Sequence, residues 1–326
     1  MIDTASHDVY GTKDTVTDTK SETDFNPGII IRDYIFLKKT FHVVRDDELE
    51  AGTKQRALIS WLKDMEGSEF VYAGPVFGYA QIALALAAKI NGKKATLFLE
   101  KRSPRHPLTQ KAGSLGADII EIRRGAHLKE VQQAAEEYTT ERKDEGTVLL
   151  PLGLHTPQFI DILTRQVHEA ITKTHPHLMQ HPPKRMWLVV GSATILAALH
   201  KIWPQTHFLC VQVEGMNHTI YIAPERFDQI SRRLPPYPSV CTYDAKLWQF
   251  VEDHGEDGDY IWNVGRDVSP GYDESDQVRV NDDAEDHGSD KDRIKNRQQV
   301  SDSFVTIRAS GSQNILSGGA DIPITL

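Results

Sequence analysis

The sequence predicts an α/β protein with doubly wound, mostly parallel sheets. Short runs rich in β-branched and aromatic residues alternate with segments of helical period from about residue 70 to residue 213. Each predicted helix can serve as the crossover that two neighbouring parallel strands require. Because ligands of such sheets bind at the carboxyl ends of the strands, we expect function in the turns that follow them.

The predicted strands are short and apolar, which is typical of strands buried on both faces. In chain order they are FVYA (70–73), ATLFL (95–99), DIIEI (118–122), TVLLPL (147–152), MWLVV (186–190) and HFLCVQV (207–213). The predicted helices have a period of 3.6 residues, and two of them stop at the turn residues Asn91-Gly92 and Gly116. They are RALISWLKDM (56–65), YAQIALALAAKING (79–92), PLTQKAGSLG (107–116), HLKEVQQAAEEYTTER (127–142), PQFIDILTRQVHEAITKTH (157–175) and ATILAALHKIW (193–203).

Composition predicts unfolded tails around this body. The chain has 326 residues, and its hydrophobic content of 39% is low for a compact enzyme of that length. Residues 1–27 are polar and end at a turn signal, and residues 268–326 are strongly charged, so we expect a disordered leader and a mostly disordered tail. The folded body is then expected over residues 28–267. Residues 225–239 are predicted to form a basic helix and a proline turn, either a lid or a plain connection.

Several functional classes are disfavoured by the same composition. No apolar run of about eighteen residues and no apolar leader occur, which predicts a soluble, cytoplasmic protein. Two cysteines, Cys210 and Cys241, suit a reducing compartment. A formal net charge of -9 disfavours a general nucleic-acid footprint, although a local basic groove remains open.

A small-residue turn follows the predicted strand at residues 186–190 and opens the next helix. It contains Gly191, Ser192, Ala193 and Thr194. Backbone N–H groups at a helix start, together with two hydroxyls, favour an anion, so phosphate binding is one interpretation of this turn. An ordinary tight turn between a strand and a helix is the other.

Lys54 stands at the start of another predicted helix, directly after a Gly-Thr turn. The positive end of the helix would lower the pKa of its ammonium group, and such a lysine can form a Schiff base with a carbonyl cofactor. A solvated lysine at a helix start is the alternative interpretation.

Five segments of the chain, taken in order, are similar to the motifs of a known family. The segments are RDDELEAGTKQRAL (45–58), GYAQIALALAAKINGKKATLFLEKR (78–102), LTQKAGSLGADIIEI (108–122), VVGSATILAAL (189–199) and CTYDAKLWQF (241–250). They resemble the fold-type-II pyridoxal-phosphate enzymes, the tryptophan synthase β-like superfamily, and especially the branch of 1-aminocyclopropane-1-carboxylate deaminase and D-cysteine desulfhydrase. The resemblance covers about residues 40–265.

The resemblance implies two α/β subdomains, the smaller at about residues 70–150, and pyridoxal 5′-phosphate as cofactor. Lys54 would hold the cofactor as an internal aldimine and act as general base, and Tyr243 would be a second acid or base, or else an aromatic packed beneath a loop. Gly191, Ser192, Ala193 and Thr194 would form the phosphate loop. Asn263 would face the pyridine nitrogen, and a neutral partner there favours elimination or β-replacement. Family members usually form homodimers.

The chain departs from the family where a Ser-Asn-His sequence normally binds the cofactor hydroxyl and the substrate carboxylate. Here the corresponding stretch includes Gly78, Tyr79 and Gln81, which would line the substrate side or else serve only as helix and core positions. We therefore expect a lyase- or deaminase-like enzyme acting on an amine or amino acid that is free or attached to a larger carrier. The alternative is a catalytically silent homologue that binds a phosphate-bearing ligand or a protein partner. A nucleotide-binding Rossmann enzyme is disfavoured because the chain has no Gly-x-Gly-x-x-Gly motif.

Two further groups of polar residues are expected to be structural. Four histidines fall within fourteen positions of a proline-rich segment that is predicted to be an exposed loop, and no metal site is expected there. They are His168, His175, His177 and His181. The neighbouring pairs Asp46/Asp47 and Arg45/Arg56 are expected on a solvated or salt-bridged surface, with Asp46 also suited to anchor the lysine loop.

Overall fold

Residues 25–213 and 221–268 are the part of the chain that the computed structural model describes. The predicted tail and almost all of the predicted leader lie outside the described residues. Residues 25–27, which the sequence assigned to the leader, belong to the folded body. Asn26 is buried, and its side-chain amide donates hydrogen bonds to the backbone oxygen and the side-chain oxygen of Gln166 at 3.0 and 2.8 Å. The body therefore begins at least three residues earlier than expected.

Two sheets form the framework of the described chain. The strands are β1 (Ile31–Phe36), β2 (Lys39–Arg45), β3 (Glu69–Ala73), β4 (Lys94–Glu100), β5 (Asp118–Ile122), β6 (Thr147–Leu150), β7 (Arg185–Val190), β8 (His207–Gln212), β9 (Tyr221–Ile222) and β10 (Asp259–Asn263). The larger sheet has the order β1-β2-β10-β7-β8-β9, and only the β1–β2 pair is antiparallel. The smaller sheet has the order β5-β4-β3-β6 and is wholly parallel. The predicted α/β class with mostly parallel sheets is confirmed.

Helices cover the faces of both sheets. They are α1 (Gln55–Asp64), α2 (Ala80–Ile90), α3 (Pro107–Ser114), α4 (Leu128–Glu141), α5 (Pro157–Thr174), α6 (His177–Gln180), α7 (Thr194–Ile202) and α8 (Trp248–His254). Leu58 of α1 and Ile82 of α2 belong to the main core cluster, which also takes in residues from both sheets. Trp187 and Trp248 pack in a second cluster on the larger sheet, and Val131 of α4 covers the smaller one. Within the described residues, no helix is long and apolar enough to cross a membrane.

The smaller sheet spans the residues from Glu69 to Leu150, which agrees with the interval where the resemblance implied a smaller subdomain. The main core cluster runs continuously from this sheet to the larger one. Whether residues 70–150 behave as a separate subdomain stays a prediction.

Three local structures differ from the sequence-based expectations. β1 and β2 form a hairpin whose two-residue turn, Leu37-Lys38, has positive φ angles of 47° and 62° without a glycine. No helix forms in residues 225–239, so the predicted basic helix is wrong: Pro235 and Pro236 close the segment, and its backbone follows turns instead. The histidine-rich segment is not a plain loop, because it contains α6. Among the described residues, no three His, Cys, Asp or Glu side chains are grouped as a metal site would need.

Two buried ion pairs fix the turn at Asp46–Glu48, one to the end of β2 and the other to the start of α1. Arg45 Nε lies 2.8 Å from Asp47 Oδ1, and Arg56 Nη2 lies 2.7 Å from Asp46 Oδ1. At most 1% of any of these four side chains is exposed, so the expectation of a solvated or salt-bridged surface is wrong. Arg56 also donates to the backbone oxygen of Pro27 at 2.7 Å. Residues 45–56, which include Lys54, are therefore held by an ion pair at each end.

Replacement of Arg56 by Met should destabilise the fold by about 3–5 kcal/mol, because it leaves the Asp46 carboxylate buried without its counter-ion. Urea unfolding at pH 7 measures this loss. Arg165→Met, at an exposed position of α5, is the control and should change stability by less than about 0.5 kcal/mol. A loss below about 1 kcal/mol for Arg56→Met would contradict the structural importance of the pair.

Candidate active site

The carboxyl ends of the parallel strands bring the predicted site residues to one region. In the larger sheet, β2 ends at Arg45 and β10 at Asn263, which is paired with Arg45 in the register. The neighbouring strand β7 ends at Val190, directly before the predicted phosphate turn. In the smaller sheet, β6 ends at Leu150 and leads to Gly153, whose carbonyl contacts Lys54. Residues separated by up to about two hundred positions thus share one site.

Lys54 is held at the start of α1 with its ammonium group turned to the loop after β6. Its Nζ donates a hydrogen bond to the backbone oxygen of Gly153 at 2.8 Å. Burial lowers the pKa of Lys54 to about 8, because the charged form loses hydration. The direction agrees with the expectation from the sequence, whereas the cause is burial and not the helix end. A substantial neutral fraction of this amine is therefore present near pH 8.

The backbone around Lys54 is fixed by contacts with β10 and the residues after it. Trp262 Nε1 donates to Thr53 Oγ1 at 2.9 Å. Gly52 has a φ of 68°, and a Cβ there would lie 2.6 Å from the Val264 oxygen, so only glycine fits. These contacts explain why the Gly-Thr-Lys sequence forms a tight turn that delivers the lysine into the site.

The predicted phosphate turn reaches the same carbonyl group as Lys54. Thr194 Oγ1 donates to the Gly153 oxygen at 2.9 Å, and Ser192 Oγ lies 3.4 Å from that oxygen. Ala193 has a φ of 57°, which turns the chain sharply into the first residue of α7. An ammonium group and two hydroxyls thus converge on one oxygen.

The sequence analysis did not single out Gly153, although it lies three residues after β6. Its φ is 68°, and a Cβ at this position would come within 2.1 Å of the Ser192 Cβ. A side chain would therefore separate the loop after β6 from residues 191–194. A glycine just beyond a predicted parallel strand was the available signal.

Tyr243 lies against the phosphate turn. A Cβ at Gly191 would come within 2.9 Å of the Tyr243 hydroxyl, so the phenol takes the space that a side chain would occupy. Burial raises the pKa of Tyr243 well above its ordinary value, and the neighbouring Asp244 carboxylate adds to the shift. The phenol is accordingly protonated at neutral pH, and its hydroxyl can donate a hydrogen bond.

Asp244 was not singled out from the sequence, although it follows Tyr243 directly. Only 2% of its surface is exposed, and neither carboxylate oxygen has a side-chain hydrogen-bond partner in the described part of the chain. Burial raises the pKa of Asp244 well above its ordinary value, and Asp47 adds to this effect. The backbone N–H groups of Val264 and Gly265 oppose the shift. A buried acid without a side-chain partner is costly and therefore points to a functional role.

Asn263 is at the carboxyl end of β10, as expected for a residue of the site. Its side chain is already bonded within the protein: Oδ1 accepts from Ser239 Oγ at 3.0 Å, and Nδ2 donates to the Pro238 oxygen at 2.8 Å. Only 1% of its surface is exposed. These contacts orient Asn263 firmly, and its contact with a cofactor stays a prediction.

The loop after β3 contributes Tyr79, whose ring lies between two glycines of the site. A Cβ at Gly52 would be 3.0 Å from this ring and one at Gly265 would be 2.8 Å from it. The Tyr79 hydroxyl donates to the Arg266 oxygen at 3.0 Å, and burial raises the pKa of Tyr79 to about 12. Tyr79 thus lies beside the Lys54 turn, and its contact with a substrate stays a prediction.

Gly78 and Gln81 are held together by hydrogen bonds within this loop. Gln81 Nε2 donates to the Val76 and Gly78 oxygens at 2.7 and 3.0 Å, and Thr109 Oγ1 donates to Gln81 Oε1 at 3.0 Å. The Gln81 side chain is fully buried. Its amide therefore supports the loop that carries Tyr79, and direct contact of Gln81 or Gly78 with a substrate stays a prediction.

The same fold occurs in solved structures of enzymes at low sequence identity. An ACC deaminase homologue superposes with a TM-score of 0.60 at 15% identity, covering 78% of this chain and 94% of that one. For O-ureido-L-serine synthase the TM-score is 0.57 at 13% identity, with 84% and 98% covered. For the processed form of threonine deaminase isoform 2 from Solanum lycopersicum it is 0.54 at 12% identity, with 83% and 89% covered.

The chain therefore has the fold-type-II, tryptophan synthase β-like architecture that the sequence resemblance predicted. Its identity to these structures, at most 15% among the three, agrees with a divergent sequence. No family model and no curated protein matches the sequence.

Reductive methylation should modify Lys54 with a pH midpoint near 8, because only the neutral amine reacts and burial lowers the pKa to about 8. Exposed lysines keep a pKa of about 10.4. Peptide mass mapping after brief formaldehyde and borohydride treatment at a series of pH values measures each midpoint, and exposed Lys89 is the internal reference. Parallel pH profiles for Lys54 and Lys89 would contradict the lowered pKa.

Asp244→Asn should stabilise the protein by about 1–3 kcal/mol at pH 8, because the amide carries no buried charge. The pKa of Asp244 is higher in the folded chain than in the unfolded one, so the folded state binds the proton more tightly. Native stability therefore falls as the pH rises from about 4 through the folded-state pKa. The advantage of the variant should shrink toward pH 4.

Urea unfolding of both proteins across this pH range measures the difference. Asp64→Asn, at an exposed position, should leave stability nearly unchanged at every pH. A variant that is less stable than the parent at pH 8 would show that Asp244 is compensated inside the fold.

Proposed function

We propose that this chain is a pyridoxal-phosphate-dependent enzyme that acts on an amine or amino acid by elimination, deamination or β-replacement. The observation that carries the proposal is the convergence of Lys54, Ser192 and Thr194 on the Gly153 carbonyl. The cofactor requires an amine and an anion-binding turn within the span of one small molecule, and these three side chains offer that combination. The solved enzymes with the same fold support it.

The residues present fit the groups of the cofactor. Lys54 offers an amine whose pKa is lowered to about 8 for the aldehyde. Gly191, Ser192, Ala193 and Thr194 offer hydroxyls and backbone N–H groups for the phosphate at the start of α7, a helix of nine residues. Asp244, an acid whose oxygens have no side-chain partner among the described residues, provides an acceptor near Gly265.

When bound, pyridoxal phosphate supplies an electron-accepting ring that acidifies the proton at the substrate Cα. In this proposal Lys54 is the general base that takes that proton. Its lowered pKa suits the task, since a base works best when its pKa lies close to the working pH. The hydrogen bond to the Gly153 oxygen orients the amine while it carries the proton.

Tyr243 is proposed as the acid that assists the leaving group. Its hydroxyl is protonated at neutral pH and lies beside Gly191, at the edge of the anion-binding turn, where it can donate a hydrogen bond to a leaving group that gains negative charge. Asn263 is proposed as the neutral partner of the ring nitrogen, oriented by Ser239 and Pro238. A neutral partner weakens the electron sink, which favours elimination and replacement over reactions that need full charge delocalisation.

The proposal extends to properties that follow from the resemblance alone. We propose a homodimer in the cytoplasm and an amino-acid or amine substrate that is free or attached to a carrier. The stretch with Gly78, Tyr79 and Gln81 would form the substrate side in place of Ser-Asn-His.

A second candidate is a catalytically silent relative that binds a phosphate-bearing ligand or a protein partner. It is favoured by the position of Tyr79, whose ring fills the space between Gly52 and Gly265 beside the lysine turn. If this ring excludes the cofactor, residues 191–194 would remain as a phosphate site without the lysine chemistry.

Incubation of the purified protein with pyridoxal phosphate should produce an absorption band near about 410–430 nm. Lys54→Ala should abolish the band, whereas Lys89→Ala, at an exposed position of α2, should retain it. Borohydride reduction and peptide mass mapping should locate the adduct on Lys54. Thr194→Val should weaken cofactor affinity while retaining the band at saturation, because it removes one hydroxyl donor.

A band that survives Lys54→Ala would overturn the catalytic proposal. Absence of a band in the parent protein, together with its appearance in Tyr79→Ala, would identify the Tyr79 ring as the obstacle. That result would favour the silent relative.

A further inference from the structure

A cavity of about 310 Å³ opens beside the candidate active site, and neither the motifs nor the proposed chemistry uses it. It lies beyond the carboxyl ends of β3, β4 and β5, which are neighbours in the smaller sheet. Its walls include Phe77, which follows β3, Arg102 and Arg105, which follow β4, and Arg124, which follows β5. We call it the arginine pocket.

The arginine pocket continues the same sheet edge that forms the candidate active site. β6 adjoins β3 on its other side, and the loop after β6 brings Gly153 to Lys54. The loop after β3 carries both Phe77, in the pocket wall, and Tyr79, beside Gly52. The pocket and the candidate active site therefore lie along the edge at which parallel sheets bind their ligands.

The charges around the arginine pocket favour an anion. Arg102 pairs with Glu100 at 2.7 Å, and Arg105 pairs with Glu121 at 2.7 Å. Arg124 is exposed and has no ion pair within the described residues, so three guanidinium groups face two carboxylates there. Arg102 Nε is buried without a hydrogen-bond partner in the same part of the chain, which leaves one donor unused.

His106 adds no positive charge at neutral pH. Its ring packs edge-on against Phe77 at 4.9 Å between centroids, and Nδ1 accepts a hydrogen bond from the Leu108 N–H at 3.3 Å. Burial lowers the pKa of His106 to about 4, and the nearby Arg102 contributes to the shift. The attraction for an anion therefore depends on the arginines.

A row of aromatic rings connects the arginine pocket with the phosphate turn. The Arg102 guanidinium lies 5.4 Å from the centre of the Phe77 ring. Phe77 contacts Phe227 at 5.7 Å between centroids, and Phe227 contacts Tyr243 at the same distance. Tyr243 in turn lies against Gly191. The wall between the two places is thus apolar, with a charged group at its outer end.

We propose that the arginine pocket binds an oxyanion, a carboxylate or a phosphate, carried by the part of the substrate remote from the reacting amine. Guanidinium groups bind both kinds of oxyanion through paired, charge-assisted hydrogen bonds. That the anion belongs to a substrate rests on the proposed function, whereas the binding of an anion in the pocket does not. The substrate class is therefore an amine or amino acid with an additional acidic group at some distance from the nitrogen.

Calorimetric titration of the full chain with inorganic phosphate and, separately, with succinate tests the proposal, because the two probes distinguish the oxyanions. Each titration is performed after incubation with pyridoxal phosphate, so that a functional phosphate turn is already occupied. At least one probe should bind. Arg124→Glu should weaken that binding about tenfold or more, since it replaces a charge-assisted donor by a repelling carboxylate.

Arg165→Glu makes the same charge change at an exposed position of α5 and should alter the affinity by no more than about twofold. Thermal unfolding of both variants controls for folding. The proposal is overturned if neither probe binds at millimolar concentration, if Arg124→Glu leaves the affinity unchanged, or if Thr194→Val abolishes binding while Arg124→Glu does not. Anion binding that needs Arg124 in a protein without the Lys54-dependent band would support the pocket and reject only the proposed enzyme.

Discussion

The candidate site depends on the two buried ion pairs at the end of β2. Arg45 with Asp47 and Arg56 with Asp46 are almost completely removed from solvent, and they hold the chain on both sides of the turn that delivers Lys54. Burying four charges costs free energy that only close, well-oriented pairing offsets. The geometry of the turn is therefore coupled to the folding of the whole edge of the sheet, since neither pair can loosen without exposing a charge to an apolar interior.

Two cations, Arg45 and Lys54, are buried in this small region, and their partners decide which of them titrates. Arg45 has a carboxylate partner, and its pKa is raised. Lys54 is bonded to a carbonyl oxygen, which carries only a partial charge, so burial dominates and lowers its pKa to about 8. The same low-polarity surroundings thus keep one base permanently charged and bring the other close to neutrality. Asp244 is the acidic counterpart, a carboxyl group whose pKa burial raises well above its ordinary value.

Much of the fold was predictable because it is encoded by local periodicity. The strand at residues 118–122 was predicted with the bounds that the structure has. Helix α5 begins at the predicted residue and ends one residue earlier, and α2 begins one residue later and ends two residues earlier than predicted. The β1–β2 hairpin was missed because Leu37-Lys38 lacks the Asn-Gly or Gly-Gly signature that such turns usually carry. The basic helix predicted within residues 225–239 does not form. Its charge pattern alone resembles a helix, whereas Pro235 and Pro236 cannot continue one.

The site was predictable only in part for a related reason. Lys54 and Thr194 were singled out from the sequence because each stands in a short motif. In the structure, both side chains donate hydrogen bonds to the Gly153 oxygen. Gly153 and Asp244 acquire their importance from long-range contacts that leave no pattern in the neighbouring sequence. The arginine pocket is similar, since Arg102 and Arg124 are ordinary loop residues until the sheet brings them together.

The shared Gly153 carbonyl makes proton binding and anion binding interdependent. In the structure its oxygen accepts hydrogen bonds from both Lys54 and Thr194. A ligand that draws the Thr194 hydroxyl away would leave the carbonyl to the ammonium group and the more distant Ser192 hydroxyl, strengthen the bond to Lys54 and increase the affinity of Lys54 for its proton. Because such coupling is reciprocal, the affinity of the turn for an anion would depend on whether Lys54 is protonated. A single backbone oxygen thus couples the anion affinity of residues 191–194 to the charge state of Lys54.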